Sequence, residues 1–73
     1  MSDMRNRLYE VNINGEIRVY ADVTLAELYA YMSAARFLRE AGFDVEGDPR
    51  LVFKMAAEEN FHVSVKEVTL DLD

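Results

Sequence analysis

Residues 25–42, LAELYAYMSAARFLREAG, carry apolar side chains around much more of a helical circumference than one amphipathic face needs. Both ends of this helix are marked. Thr24 followed three residues later by Glu27 reads as a capping box, with Val23 placed to staple onto Leu28. Gly42 suits the left-handed position past the last turn, and Phe43 follows it as in a Schellman closure. In projection, Leu28, Tyr31, Ala35 and Leu38 form a stripe of large side chains expected to sit on a sheet. Ala26, Ala30, Ala34, Phe37 and Ala41 form a second stripe, and its small side chains invite close approach of another backbone. Leu25, Tyr29 and Met32 add a third, interrupted by Ser33, Arg36, Arg39 and Glu40.

Something must cover the alanine stripe. One candidate lies in the same chain: Asp48 is a good N-cap and Pro49 fits the first helical position, which predicts a second helix to about Asn60. Its Leu51, Val52, Met55 and Ala56 share one side, while Phe53 and Ala57 lie on another. The other candidate is a neighbouring subunit, in which case Ala26, Ala30, Ala34, Phe37, Ala41 and Phe53 form the seam of a homo-oligomer, a dimer first.

The rest of the chain reads as strand. In LYEVNINGEIRVYAD, apolar Tyr9, Val11 and Ile13 alternate with polar residues, as do Ile17, Val19 and Ala21, around the hairpin signal Asn14-Gly15. A two-residue loop there would set Ile13 opposite Glu16 and Val11 opposite Arg18, mixing charge with the apolar face. Pairing Ile13 with Ile17 through a three-residue connection, Asn14 to Glu16, or a bulge is therefore expected. Near the C-terminus Phe61, Val63 and Val65 alternate on odd positions, but Val68, Leu70 and Leu72 on even ones, which predicts a bulge or bend at Lys66-Glu67, or two short strands. The reading is a single α+β domain over residues 1–73, with residues 1–6 frayed. A small antiparallel sheet of about three strands, built on the hairpin, carries two helices on one face in the order ββααβ.

Size and composition bear on function. A 73-residue core is marginal, and with no cysteine the chain has neither disulfides nor thiolate zinc sites to reinforce it. One histidine, His62, builds no metal site by itself. Self-association remains open, and an apolar fraction of 51% points the same way. Fourteen acids against eight bases, a net charge of −6, argue against direct nucleic-acid binding and against an anionic membrane surface. A charged partner is expected to be a basic protein, although acidity also serves solubility. The polar opening MSDMRNR reads as lacking a signal peptide and no run approaches a membrane span, so the cytoplasm is the expected compartment.

No catalytic constellation, cofactor motif or metal motif stands out. Counted from Asp44, the sixth and twelfth positions of a calcium loop hold Pro49 and Met55, not Gly and Glu. His62 has no evident proton partner, and Ser33 and Ser64 lie in no nucleophile motif. The candidate partner-binding residues are therefore the acids Glu40, Asp44, Glu46 and Asp48, together with Glu58 and Glu59, which oppose the dipole at the end of the second helix. As a plain solvated connection, the same acids need no partner, and Asp48 already has a capping role. Tyr20 and Tyr29 join the set as the two aromatic residues expected to be exposed, Tyr20 on the outer face of the sheet.

In general character, a short, acidic, cysteine-free α+β chain resembles the small inhibitors that phages encode against host defence systems, including anti-CRISPR proteins. The likeness is one of type and carries over no residue. The function expected is a non-enzymatic protein-binding module, self-associating, that docks on a basic partner and inhibits it by blocking a nucleic-acid-binding surface. The alternatives are an oligomer that sequesters a small molecule or nucleotide through Arg5, Arg7, Arg18, Arg36 or Arg39, or a plain structural subunit.

Overall fold

The computed structural model describes residues 7–69; the expected fraying of residues 1–6 and the alternation of Leu70 and Leu72 lie outside them. The elements are β1 (Arg7–Ile13), β2 (Glu16–Tyr20), α1 (Val23–Glu40), α2 (Pro49–Glu58) and β3 (Val63–Thr69). All strand pairing is antiparallel in the order β2-β1-β3, so the first strand is the central one. This is the expected α+β fold, ββααβ, with both helices on the face that carries Val11 and Val63.

The hairpin departs from expectation. Asn14 and Gly15 both take positive φ, 51° and 103°, forming the two-residue loop that opposes Ile13 to Glu16 and Val11 to Arg18. The turn chemistry sets the register, and the Asn12 side chain accepts a 2.7 Å hydrogen bond from Gly15 N–H beside it. The mixed pairing is tolerable because Arg18 reaches outward: its guanidinium lies 5.6 Å from the Tyr29 ring centre and 3.8 Å from Glu16. The consequence falls on the other parity. Tyr20 turns to the helices, where it meets Tyr29 at 5.5 Å, and Ile17 and Val19 turn to the open face. Both tyrosines expected outside are thus half-buried against the core.

β3 is also simpler than expected. It pairs with β1 from Val63 opposite Ile13 to Thr69 opposite Arg7 with no bulge at Lys66-Glu67. Those two residues find partners on opposite faces: Lys66 lies 3.9 Å from Glu10 and Glu67 3.4 Å from Arg7. The change of parity simply sends Val68 to the open face, opposite Leu8.

In α1 the cap is Asp22, not Thr24: its carboxylate accepts from the N–H groups of Thr24 at 2.7 Å and Leu25 at 3.3 Å. One acceptor serves two of the unpaired first-turn donors, so the helix starts earlier than the Thr24–Glu27 pattern implies. The C-terminus is as expected, with Gly42 at φ 96°, Phe43 N–H bonding to Leu38 C=O at 2.9 Å and Gly42 N–H to Arg39 C=O at 3.0 Å. α2 begins at the expected cap, where the Asp48 carboxylate accepts from Arg50 N–H at 2.9 Å. It closes by the same device with Asn60 at φ 65° and Phe61 N–H on Ala56 C=O, 2.9 Å.

Burial along α1 follows neither stripe as a whole. Ala26 and Ala30 lie fully buried with Val11 of the sheet, and Ala34 and Ala35 with Leu38 meet Val52 and Ala56 of α2. Small side chains seat the helix close to its own sheet, so Ala26, Ala30 and Ala34 are covered within the chain and do not form an exposed seam. Leu28, expected on the sheet, is left at the surface.

Candidate interaction surface

The fully buried core is thin. Its large members among the described residues are Val11, Leu38 and Val52, and the other five fully buried side chains are alanines. Against these three stand eight large apolar side chains at the surface: Ile17, Val19, Val23, Leu25, Leu28, Met32, Phe43 and Leu51. Complete burial of a fully exposed side chain of this kind stabilises by ~1.5–3 kcal/mol; these eight are 38–56% exposed, so each retains part of that gain for a further contact.

The exposed apolar residues are not scattered. Leu25, Leu28 and Met32, three and seven residues apart, form a ridge along α1. Ile17 and Val19 stand on the open face of the sheet, where half-buried Leu8 and Val68 and the Glu10–Lys66 ion pair share the same parity. Between ridge and sheet runs a groove of about 720 Å³, floored by Val63 and Val65 of β3. Leu28 and Tyr31 of α1 wall it on one side; Arg50 and Phe53, at the start of α2, close it on the other. Phe53 is half-buried and touches both core clusters, so it joins them.

The acids distribute over two segments. Glu40 is held by Arg36 at 3.2 Å and Asp48 by its capping bond, while Asp44, Glu46, Glu58 and Glu59 are exposed with no ion pair among the described residues. The α1–α2 connection and the end of α2 both flank the cluster around Leu38, through Val45 and Phe61. Phe37, expected at a seam between subunits, stacks on Phe61 with ring centres 4.3 Å apart and planes 7° from parallel. Ala41 is exposed at the helix end. Of the basic side chains, Arg36 and Arg39 line one hollow on α1 together with Glu40, to which Arg36 is paired. Arg7 and Arg18 each pair with a carboxylate elsewhere, and Arg5 lies outside the described residues.

His62 and Ser64 border a shallow hollow with Asn12 and Asn14 at the hairpin end of the sheet. Hydrogen bonds there are structural: Asn14 N–H donates to His62 C=O, and His62 N–H to the Asn14 side chain at 3.3 Å. No hydrogen bond joins the imidazole to Ser64 among the described residues, and no carboxylate borders the hollow. The described residues contain no group of three or more metal-ligating side chains, and no helix among them is long and apolar enough to cross a membrane. Sequence reasoning missed Arg50, Leu28 and the Val63–Val65 floor as surface features. Arg50 carries no signal beyond following the Asp48-Pro49 cap, and the other residues read as core. Comparison with known protein families, curated proteins and solved structures gave no match.

Proposed function

We propose that this chain is a small, acidic, non-enzymatic protein-binding module that self-associates. One observation carries the reading: eight large apolar side chains at the surface against three fully buried ones. Such a surface gains most by meeting another apolar surface. The free acids Asp44, Glu46, Glu58 and Glu59 suit a basic second partner, and a cationic nucleic-acid-binding surface is the class of target they would occupy in competition with nucleic acid. Sedimentation equilibrium from low to high micromolar concentration tests the self-association, with a reversible dimer expected; a monomer throughout sinks it. Docking on a basic partner is expected to weaken steeply as salt rises, and an affinity indifferent to ionic strength removes the electrostatic component.

The groove favours one other reading. At about 720 Å³ it falls in the size class of small-molecule sites. Its lining offers a single guanidinium, Arg50, beside the carboxylates of Glu27 and Asp48, and Arg7, Arg18 and Arg36 are paired elsewhere. A thermal-shift panel of nucleotides separates the two: no shift is expected, and a saturable one moves the function to sequestration.

A further inference from the structure

The turn that sets the hairpin register, Asn14-Gly15, is also chemically exposed. Where glycine follows asparagine, no side chain shields the next backbone nitrogen, which can attack the asparagine carboxamide carbon and close a five-membered succinimide. The other asparagines, Asn6, Asn12 and Asn60, precede Arg7, Ile13 and Phe61, whose side chains screen that nitrogen. Asn14 and Gly15 both lie at the surface, and a Cβ built on Gly15 meets nothing within 4 Å, so water reaches the link freely. Hydrogen bonds, however, hold its two reacting groups apart. The Gly15 N–H, which must give up its proton for the nitrogen to attack, donates to the Asn12 carboxamide at 2.7 Å. The Asn14 carboxamide, which carries the carbon under attack, accepts from His62 N–H at 3.3 Å, at the entry to β3. Asn14 N–H donates to His62 C=O at 2.6 Å, so main chain and side chain of Asn14 are tied to the same residue.

We propose that Asn14 is a site of spontaneous deamidation gated by opening of this turn, with water as co-reactant and the Asn12 side chain as its guard. In the opened turn the Gly15 nitrogen bonds to Asn14 Cγ, and its proton leaves with the carboxamide nitrogen as ammonia. Nothing is oxidised or reduced. Water then opens the ring at one of its two carbonyls. Attack at Cγ restores the original main chain with an aspartate at this position. Attack at the main-chain carbon leaves the chain running through Cβ and Cγ as isoaspartate, one backbone atom longer. The two products act differently on the fold. The aspartate keeps an acceptor for His62 N–H and keeps the two-residue loop. The isoaspartate breaks that loop, because its register depends on two ordinary residues at positive φ. Ile17 and Val19, which this register holds on the open face and out of step with Ile13 and Val11, lose the constraint that keeps them there.

The test is peptide mapping by mass spectrometry of the full chain aged in mildly alkaline buffer, with and without guanidinium chloride. Loss of the Asn14 amide is expected to be about tenfold or more slower in the native chain than in the denatured one, because only the opened turn reacts. Asn12→Ala, checked for folding by circular dichroism, is expected to raise the native rate about threefold or more and to leave the denatured rate unchanged. Asn12→Asp, which retains an acceptor for Gly15 N–H, is expected to react natively at the parent rate; if Asn12→Ala does not fold, the parent's two rates decide. The isoaspartyl fraction, isolated by ion exchange, is expected to unfold at lower urea than the parent, and Asn14→Asp, standing for the other product, to unfold with it. Native and denatured rates within about threefold of each other overturn the gate. A folded Asn12→Ala that reacts at the parent rate overturns the guard, amide loss at Asn6, Asn12 or Asn60 ahead of Asn14 in the denatured chain overturns the site, and an isoaspartyl chain as stable as the parent overturns the effect on the loop.

Discussion

A single carboxylate fixes where α1 begins. Asp22 serves two first-turn N–H groups at once, whereas Thr24 is itself inside the helix. Asp22→Ala is expected to cost ~0.5–2 kcal/mol in urea unfolding, and Thr24→Ala to stay within ~0.5 kcal/mol. Equal losses would restore the capping box. Gly42 makes the complementary case at the other end. A methyl group built there meets nothing within 4 Å, so Gly42→Ala isolates the strain of a left-handed residue at φ 96°. The expected loss is ~1 kcal/mol, read from the same unfolding curves with an unchanged m-value.

At the scale of elements, α1 rests on methyl groups. Ala30→Leu adds bulk where helix and sheet already touch and is expected to cost ~1–3 kcal/mol, while Ala41→Leu, from the same stripe but exposed, is expected to change stability by less than ~0.5 kcal/mol. The contrast also shows how far the sequence could be read. Helix existence, the Schellman end at Gly42, the Asp48 cap and the order of elements along the chain were legible because each depends on a few neighbouring residues; the order of strands in the sheet was not, because it rests on the pairing of β1 with the distant β3. Which stripe of α1 faces the sheet was not. Small and large stripes are both apolar, and close seating favours Ala26 and Ala30 only once the sheet's Val11 is in place. The hairpin failed for a related reason: the preference of Asn14-Gly15 for positive φ outweighs the parity of Ile13 with Ile17, and Arg18 absorbs the mismatch by lying over Tyr29. The placement of Tyr20 and Tyr29 followed that register. The groove was invisible because it belongs to no segment; α1, α2 and β3 each supply part of it.

For the whole molecule, stability and association are linked. If native chains pair, the thermal midpoint is expected to climb with protein concentration, and a midpoint constant over a hundredfold range, about two decades, speaks against a dimer of native chains. The sheet order carries another consequence. β1 is made first, and one of its two neighbours, β3, is made last, with Ile13 waiting for Val63 and Arg7 for Thr69. A nascent chain arrested before residue 63 therefore displays a bare hairpin margin through the synthesis of both helices. By its long sequence separation, closure of that ladder is expected to be slower than formation of the β1–β2 hairpin.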